Sequence, residues 1–99
     1  MLNNNSKIAV VKPSGRINYS NSNQFKKEML EKNNNNIKEL VVDFSKVESI
    51  DSSGLGKLLL MQKRMKEKGG KLKIINVNSE YIRDMFDMIY LNKIIEIEE

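Results

Sequence analysis

A carboxylate and two hydroxyls stand together at Asp51-Ser52-Ser53, followed at once by Gly54-Leu55-Gly56. Upstream, Leu40-Val41-Val42-Asp43-Phe44 is a short apolar, β-branched run with the character of a strand. Downstream, Leu55, Leu58, Leu59, Gln62 and Met65 recur at spacings of three and four, on roughly one side of a helix. The hexapeptide thus marks the point where a strand hands over to a helix. Asp and Ser side chains accept hydrogen bonds from the N–H groups that a helix start leaves unpartnered. The same donors, with the helix dipole, suit an anion. A serine in that place serves as a cap, or as a hydroxyl on which a phosphate is put and removed. Residue types alone leave both roles open.

Catalysis finds little support around it. The chain has no histidine and no cysteine, which removes the usual general base, the serine–histidine triads, thiol chemistry and most zinc sites. Gly54-Leu55-Gly56-Lys57 lacks the spacing of a phosphate loop, because Leu58 stands where that loop needs a hydroxyl. No third glycine completes a dinucleotide fingerprint. A nucleophilic Ser52 would need a base, and neither Lys57 nor Asp51 belongs to a triad-like set. Asp84 and Asp87, three apart on a helical stretch, read as solvated carboxylates. The expectation is a protein that is not an enzyme and holds no metal or cofactor. The two glycines are the odd feature. In a first helical turn each gives up about 1 kcal/mol relative to alanine, a loss that close packing or the approach of another protein would offset.

The elements that must position this junction follow in order. Lys7 to Lys12 reads as a first strand and Pro13-Ser14-Gly15 as a turn. Arg16-Ile17-Asn18 is then a short second strand, pairing with the first or leading into the following loop. A helix is predicted from about Ser22 to Lys32, with Phe25 and Met29 on its inner face. Asn33 to Asn36 form a polar link. Ile37 to Phe44 is the most apolar strand, central in the sheet. Ser45 to Ser49 reads as a loop, with Val47 and Ile50 turned inward. The helix that opens at Ser52 should stop at Gly69-Gly70, residues that tolerate a left-handed C-terminal turn. Lys71 to Val77 is a further strand, and Ser79 caps a helix carrying Ile82, Met85, Phe86 and Ile89. Ile94 to Ile97 is a last strand near the edge. Alternating strands and helices at this spacing predict one α/β domain spanning residues 1–99.

With 99 residues, the chain is long enough for a single core. No apolar run reaches the length of a membrane span, and Met1-Leu2-Asn3-Asn4-Asn5 shows no signal-peptide pattern, so a cytoplasmic location is expected. The net charge of +4 is unevenly spread. Between Lys57 and Lys73 the bases Lys57, Lys63, Arg64, Lys66, Lys68, Lys71 and Lys73 face a single acid, Glu67. The tail is acidic, with Glu80, Asp84, Asp87, Glu96, Glu98 and Glu99. Such a basic stretch meets nucleic acid, a membrane surface or an acidic protein, or is simply solvated. No aromatic residue is interleaved with it for stacking on bases, so direct nucleic-acid binding is not expected. Leu60, off the apolar stripe, is a candidate for a partner surface.

The segment from Val41-Val42-Asp43-Phe44 through Val47-Glu48-Ser49-Ile50 to Asp51-Ser52-Ser53-Gly54-Leu55-Gly56 resembles the signature of STAS domains, and most closely that of bacterial anti-sigma-factor antagonists. Gly15-Arg16-Ile17, Gly69-Gly70, Met85-Phe86 and Leu91 extend the resemblance over nearly the whole chain. It implies a STAS-like α/β fold with a mixed sheet of four to five strands and helices mainly on one face. It also implies partner switching. In that family the serine after the motif aspartate, here Ser52, is phosphorylated by a kinase that is also an anti-sigma factor. The unmodified antagonist binds that kinase, and a PP2C-type phosphatase restores the binding form. Asn18, Asp51, Ser53, Gly54, Leu55 and Gly56 would then form the partner surface around Ser52. The family often has an acid where Asn18 stands. A constitutive STAS module of a transport or multi-protein signalling assembly is the alternative.

Overall fold

Leu40 and Val42 of the third strand and Phe44 just beyond it are buried almost completely, in one core to which all three helices contribute. The structure is a computed structural model and describes residues 7–34 and 36–98. The readings of Met1 to Asn5 and of Asn35 lie outside those residues. The elements run β1 (Ile8–Val11), β2 (Ser14–Ile17), α1 (Ser22–Lys32), β3 (Glu39–Asp43), β4 (Lys46–Ile50), α2 (Ser52–Glu67), β5 (Lys71–Ile75), α3 (Glu80–Met88), a 3-10 turn (Leu91–Lys93) and β6 (Glu96–Glu98).

Four strands form one sheet in the order β1-β3-β5-β6, and β2 pairs with β4 in a second, two-stranded sheet. The α/β architecture with helices on one face is as expected, but the ladders run parallel throughout rather than mixed. Strand-to-strand crossovers through α1 and α2 account for this, since parallel neighbours need a long connection. Val11, Val42, Leu72 and Ile74 point from the main sheet into one core with Phe25 and Met29 of α1, Leu58, Met61 and Met65 of α2, and Ile82 and Phe86 of α3. Phe86 meets Phe44 with ring centroids 5.9 Å apart and planes at 57°, a tilted pair of the favoured kind. Ile8 and Val10 lie on the opposite, open face and are about half exposed.

Three further expectations are corrected. The stretch read as a loop from Ser45 to Ser49 is largely the strand β4, although Val47 and Ile50 do turn inward as anticipated. The second strand pairs not with the first but with β4, and it begins inside the expected turn, at Ser14; the register shifts between Gly15 and Arg16. That irregularity breaks the two-residue period on which strand recognition depends. Second, the buried stripe of α2 is Gly54, Leu58, Met61 and Met65. Leu59 falls one step round the helix and is 39% exposed, whereas Leu60 is half-buried. Third, Ile89 leaves the α3 stripe and is exposed, because the helix ends at Met88 and Tyr90 (φ 55) turns the chain left-handed.

The C-terminus of α2 is built as anticipated. Gly69 adopts φ +80; its N–H donates to the Lys66 carbonyl, and the Gly70 N–H donates to that of Met65. These two bonds form a Schellman motif. The basic stretch and the acidic tail turn out to be neighbours. Lys71 of β5 lies 2.8 Å from Glu96 of β6, and Lys73 lies 3.8 and 3.5 Å from Glu96 and Glu98. Lys68 is tied to Asn33, its Nζ donating at 2.7 Å. The bases between Lys57 and Lys73 therefore do not form one face.

Candidate functional site

Strand β4 delivers Ile50 to the core, and the Asp51 N–H extends its pairing by donating to the Ile17 carbonyl of β2 at 3.0 Å. The chain then enters α2. Asp51 is the N-cap, in extended conformation, and its Oδ1 accepts from the Ser53 N–H at 3.0 Å and the Gly54 N–H at 3.2 Å. The Ser53 hydroxyl donates to the same oxygen at 2.6 Å. Oδ2 turns the other way and accepts the Tyr19 N–H at 3.2 Å. One carboxylate thus caps the helix and pins the β2–α1 loop against it. The anion site expected at this helix mouth is filled by the protein's own aspartate.

Ser52 is the first residue of α2 and is exposed. Gly54 and Gly56, indistinguishable by type, have different surroundings. A Cβ on Gly54 would sit 2.7 Å from both Ile17 Cγ2 and Ile50 Cγ1, so glycine there lets α2 settle onto the β2–β4 pair. Gly56 is exposed, and a Cβ there would meet nothing within 4 Å. Leu55 is half-buried against the core. Asn18 is half-buried beside the junction, but its Oδ1 is occupied by the Ser20 N–H at 3.0 Å and the Ser20 hydroxyl at 2.6 Å. It shapes the loop. The residue that sequence reasoning missed is Tyr19, which is 83% exposed while its backbone N–H is held by Asp51. A lone aromatic among the polar residues Ser20 to Asn23 was the available signal.

The hydrogen bonds set the charge. The Ser53 hydroxyl, opposed by a smaller desolvation cost and helped by the Gly54, Ser53 and Tyr19 N–H groups, holds the Asp51 carboxyl below its ordinary value of 3.8. A depressed carboxyl stabilises the fold above the unfolded-state value, and that contribution fades as pH falls through the folded one. Asp51→Asn should therefore flatten the acid side of the stability profile below about pH 4. Urea unfolding at stepped pH measures it, and an unchanged acid limb in the variant contradicts the assignment.

Among the described residues, no three His, Cys, Asp or Glu side chains converge as a metal site would require. A cavity of about 170 Å³ between β2 and α1, reached by Arg16, Asn21 and Glu28, does not extend to Ser52. It is smaller than the few hundred cubic ångströms of usual small-molecule sites. No helix among the described residues is long and apolar enough to cross a membrane. The junction offers an exposed hydroxyl on an ordered platform.

Known proteins share this fold. The profile of the STAS domain family matches residues 1–99. A proposed anti-sigma factor antagonist from Thermotoga maritima is 24% identical, with a TM-score of 0.83 over 94% of this chain and 80% of that one. The anti-sigma factor antagonist SpoIIAA in its unphosphorylated form is 16% identical, with a TM-score of 0.69 over 100% of this chain and 84% of its own. The Bacillus protein in its phosphorylated form gives 16% and 0.67 over 95% and 85%. A sulfate transporter family protein from Wolinella succinogenes is also 16% identical, with a TM-score of 0.73 over 88% and 70%. A match over the full length, with a fold shared by these structures, settles the family: the chain belongs to the STAS domains.

Proposed function

We propose that this chain is a non-catalytic anti-sigma-factor antagonist of the cytoplasm, controlled by phosphorylation of Ser52. The observation that carries the reading is the exposed Ser52, placed directly after an aspartate whose carboxylate already accepts the Ser53 and Gly54 N–H groups. A phosphate on Ser52 adds about 1.5 to 2 negative charges beside that carboxylate. With Asp51 holding the Ser53 and Gly54 N–H groups, the added charge faces outward, towards whatever docks there. The unmodified surface, with Tyr19, Asn18, Ser53, Leu55 and Gly56 around Ser52 and Gly54 seating the helix beneath them, binds a serine kinase that acts as an anti-sigma factor. A PP2C-type phosphatase returns the modified form to the binding one. The likeness to SpoIIAA, a protein with an unphosphorylated and a phosphorylated form, supports this.

Incubating the chain with the candidate kinase of its own genome and ATP should label Ser52, with the site read by mass spectrometry and lost in Ser52→Ala. Labelling elsewhere, or none with any such kinase, overturns the reading. Tyr19→Ala should weaken the complex by about 30-fold or more, the usual effect of truncating an aromatic anchor, as measured by titration calorimetry. The likeness to the sulfate transporter family protein favours a second reading, a constitutive module of a transport assembly. That reading predicts equal partner binding by Ser52→Ala and Ser52→Asp.

A further inference from the structure

We propose that the groove between the second half of α2 and the loop leading into β6 docks an acidic, amphipathic helix of a partner protein. The groove encloses about 350 Å³ and is lined by Leu59, Gln62, Lys63, Lys66, Lys93 and Ile94. Its walls are fixed to each other. Gln62 donates from Nε2 to the Ile94 carbonyl at 2.8 Å, and its Oε1 accepts the Leu72 N–H at 3.2 Å. One side chain thus ties α2 to both β5 and the loop. Leu59 is 39% exposed and Ile94 54%, so the floor presents aliphatic surface to water.

The charged groups that line that floor have one sign. Three lysines line it and no carboxylate does. Lys71 and Lys73, by contrast, are matched by Glu96 and Glu98 across the strands. Among the described residues Lys63, Lys66 and Lys93 have no such match. An aliphatic floor with a basic rim is complementary to a helix that carries leucine-like residues flanked by carboxylates, the helix-in-groove mode of recognition. A nucleic acid would find the phosphate contacts but no aromatic face to stack on.

The groove also lies on the same outward face of α2 as Ser52, since residues 52, 59, 63 and 66 follow the helical repeat. At 1.5 Å per residue, Leu59 and Lys66 stand about 10 and 21 Å from Ser52 along the axis. A standard interface of about 800 Å² per partner spans that distance. That one partner engages both places rests on the function proposed above; the groove's preference for an acidic helix does not.

The test uses the whole isotope-labelled chain, titrated with a synthetic helical peptide bearing leucines flanked by glutamates and followed by amide chemical shifts. Shifts should concentrate at Leu59, Gln62, Lys63, Lys66, Lys93 and Ile94. Affinity should fall about tenfold or more in Lys63→Glu/Lys66→Glu and, with the charge intact, in Leu59→Ser. A peptide with lysine for glutamate should leave these amides unmoved. Shifts scattered over unrelated lysines, no response at millimolar peptide, or tighter binding of single-stranded DNA in the same groove would each overturn the proposal. Failure of Ser52 labelling with a normal peptide response would instead count against the function assigned to the junction alone.

Discussion

Ser52→Asp should lower affinity for the anti-sigma kinase proposed as the partner by about 30-fold to several thousand-fold, while Ser52→Ala stays within a few-fold of the native chain. The first figure follows from a charge confined to a docking surface without a partner group, which costs about 2–5 kcal/mol. Geometry explains why relief is small. The Ser53 and Gly54 N–H groups that would otherwise neutralise an anion at this helix start are bonded to Asp51. The fold itself should hardly respond. Ser52 is exposed, and surface replacements usually stay within about 0.5 kcal/mol. A carboxylate in the first turn gains from the helix dipole by about 0.3–1 kcal/mol, and repulsion from Asp51 opposes that gain. Calorimetric titration of the kinase with the three chains, beside their thermal unfolding, separates the two effects. Equal affinity for alanine and aspartate variants would remove the switch and leave the constitutive module.

The elements that were legible in the sequence are those whose cause is local. The start of α2 is written in Asp51, whose Oδ1 caps the helix within its own first turn. Its end is written in Gly69, which takes the left-handed conformation that a side chain would resist. Strand β3 carries the apolar run Leu40-Val41-Val42, and in β5 Leu72 and Ile74 alternate with Lys71 and Lys73, patterns that need no distant partner to be read. What was not legible depends on partners distant in sequence. Lys46-Val47-Glu48-Ser49-Ile50 is a strand because β2 lies beside it, shifted in register at Gly15; by itself it has the composition of a loop. The sequence separates a basic stretch from an acidic tail, yet β5 and β6 are adjacent and cancel much of that separation through Lys71, Lys73, Glu96 and Glu98.

The site divides along the same line. Ser52 and Asp51 were readable because capping is a matter of three or four residues. Tyr19 was not, since it is brought to Asp51 across 32 positions by the pairing of β2 with β4. Asn18, placed there by family resemblance, is beside the junction, but its side-chain oxygen is spent on Ser20. Leu59 was read as core because five residues on a helix define a stripe only to within one position. The true stripe, 54-58-61-65, includes a glycine that hydrophobicity does not register.

That glycine yields the second large effect. Gly54→Val should destabilise the domain by about 3 kcal/mol, a fall in melting temperature of more than about 10 °C for a chain of this size. Even the first added carbon would sit 2.7 Å from Cγ2 of Ile17 and Cγ1 of Ile50, atoms on stiff β-branched side chains that have little room to turn. Lifting α2 off the β2–β4 pair would also strain the bond from Asp51 to Tyr19, so partner binding should fall with stability. Gly56→Ala is the counterpart. Nothing lies within 4 Å of its added methyl group, so the helix gains up to about 1 kcal/mol and the melting temperature rises by about 4–8 °C. The same methyl group stands on the exposed face one turn from Ser52, where it holds off a closely packed partner, so affinity drops as stability climbs. If Gly56→Ala raised the melting temperature and left kinase binding intact, the bare surface there would have no part in docking. If both variants moved the melting temperature in the same direction, the distinction between a glycine that admits strands and one that admits a partner would be lost.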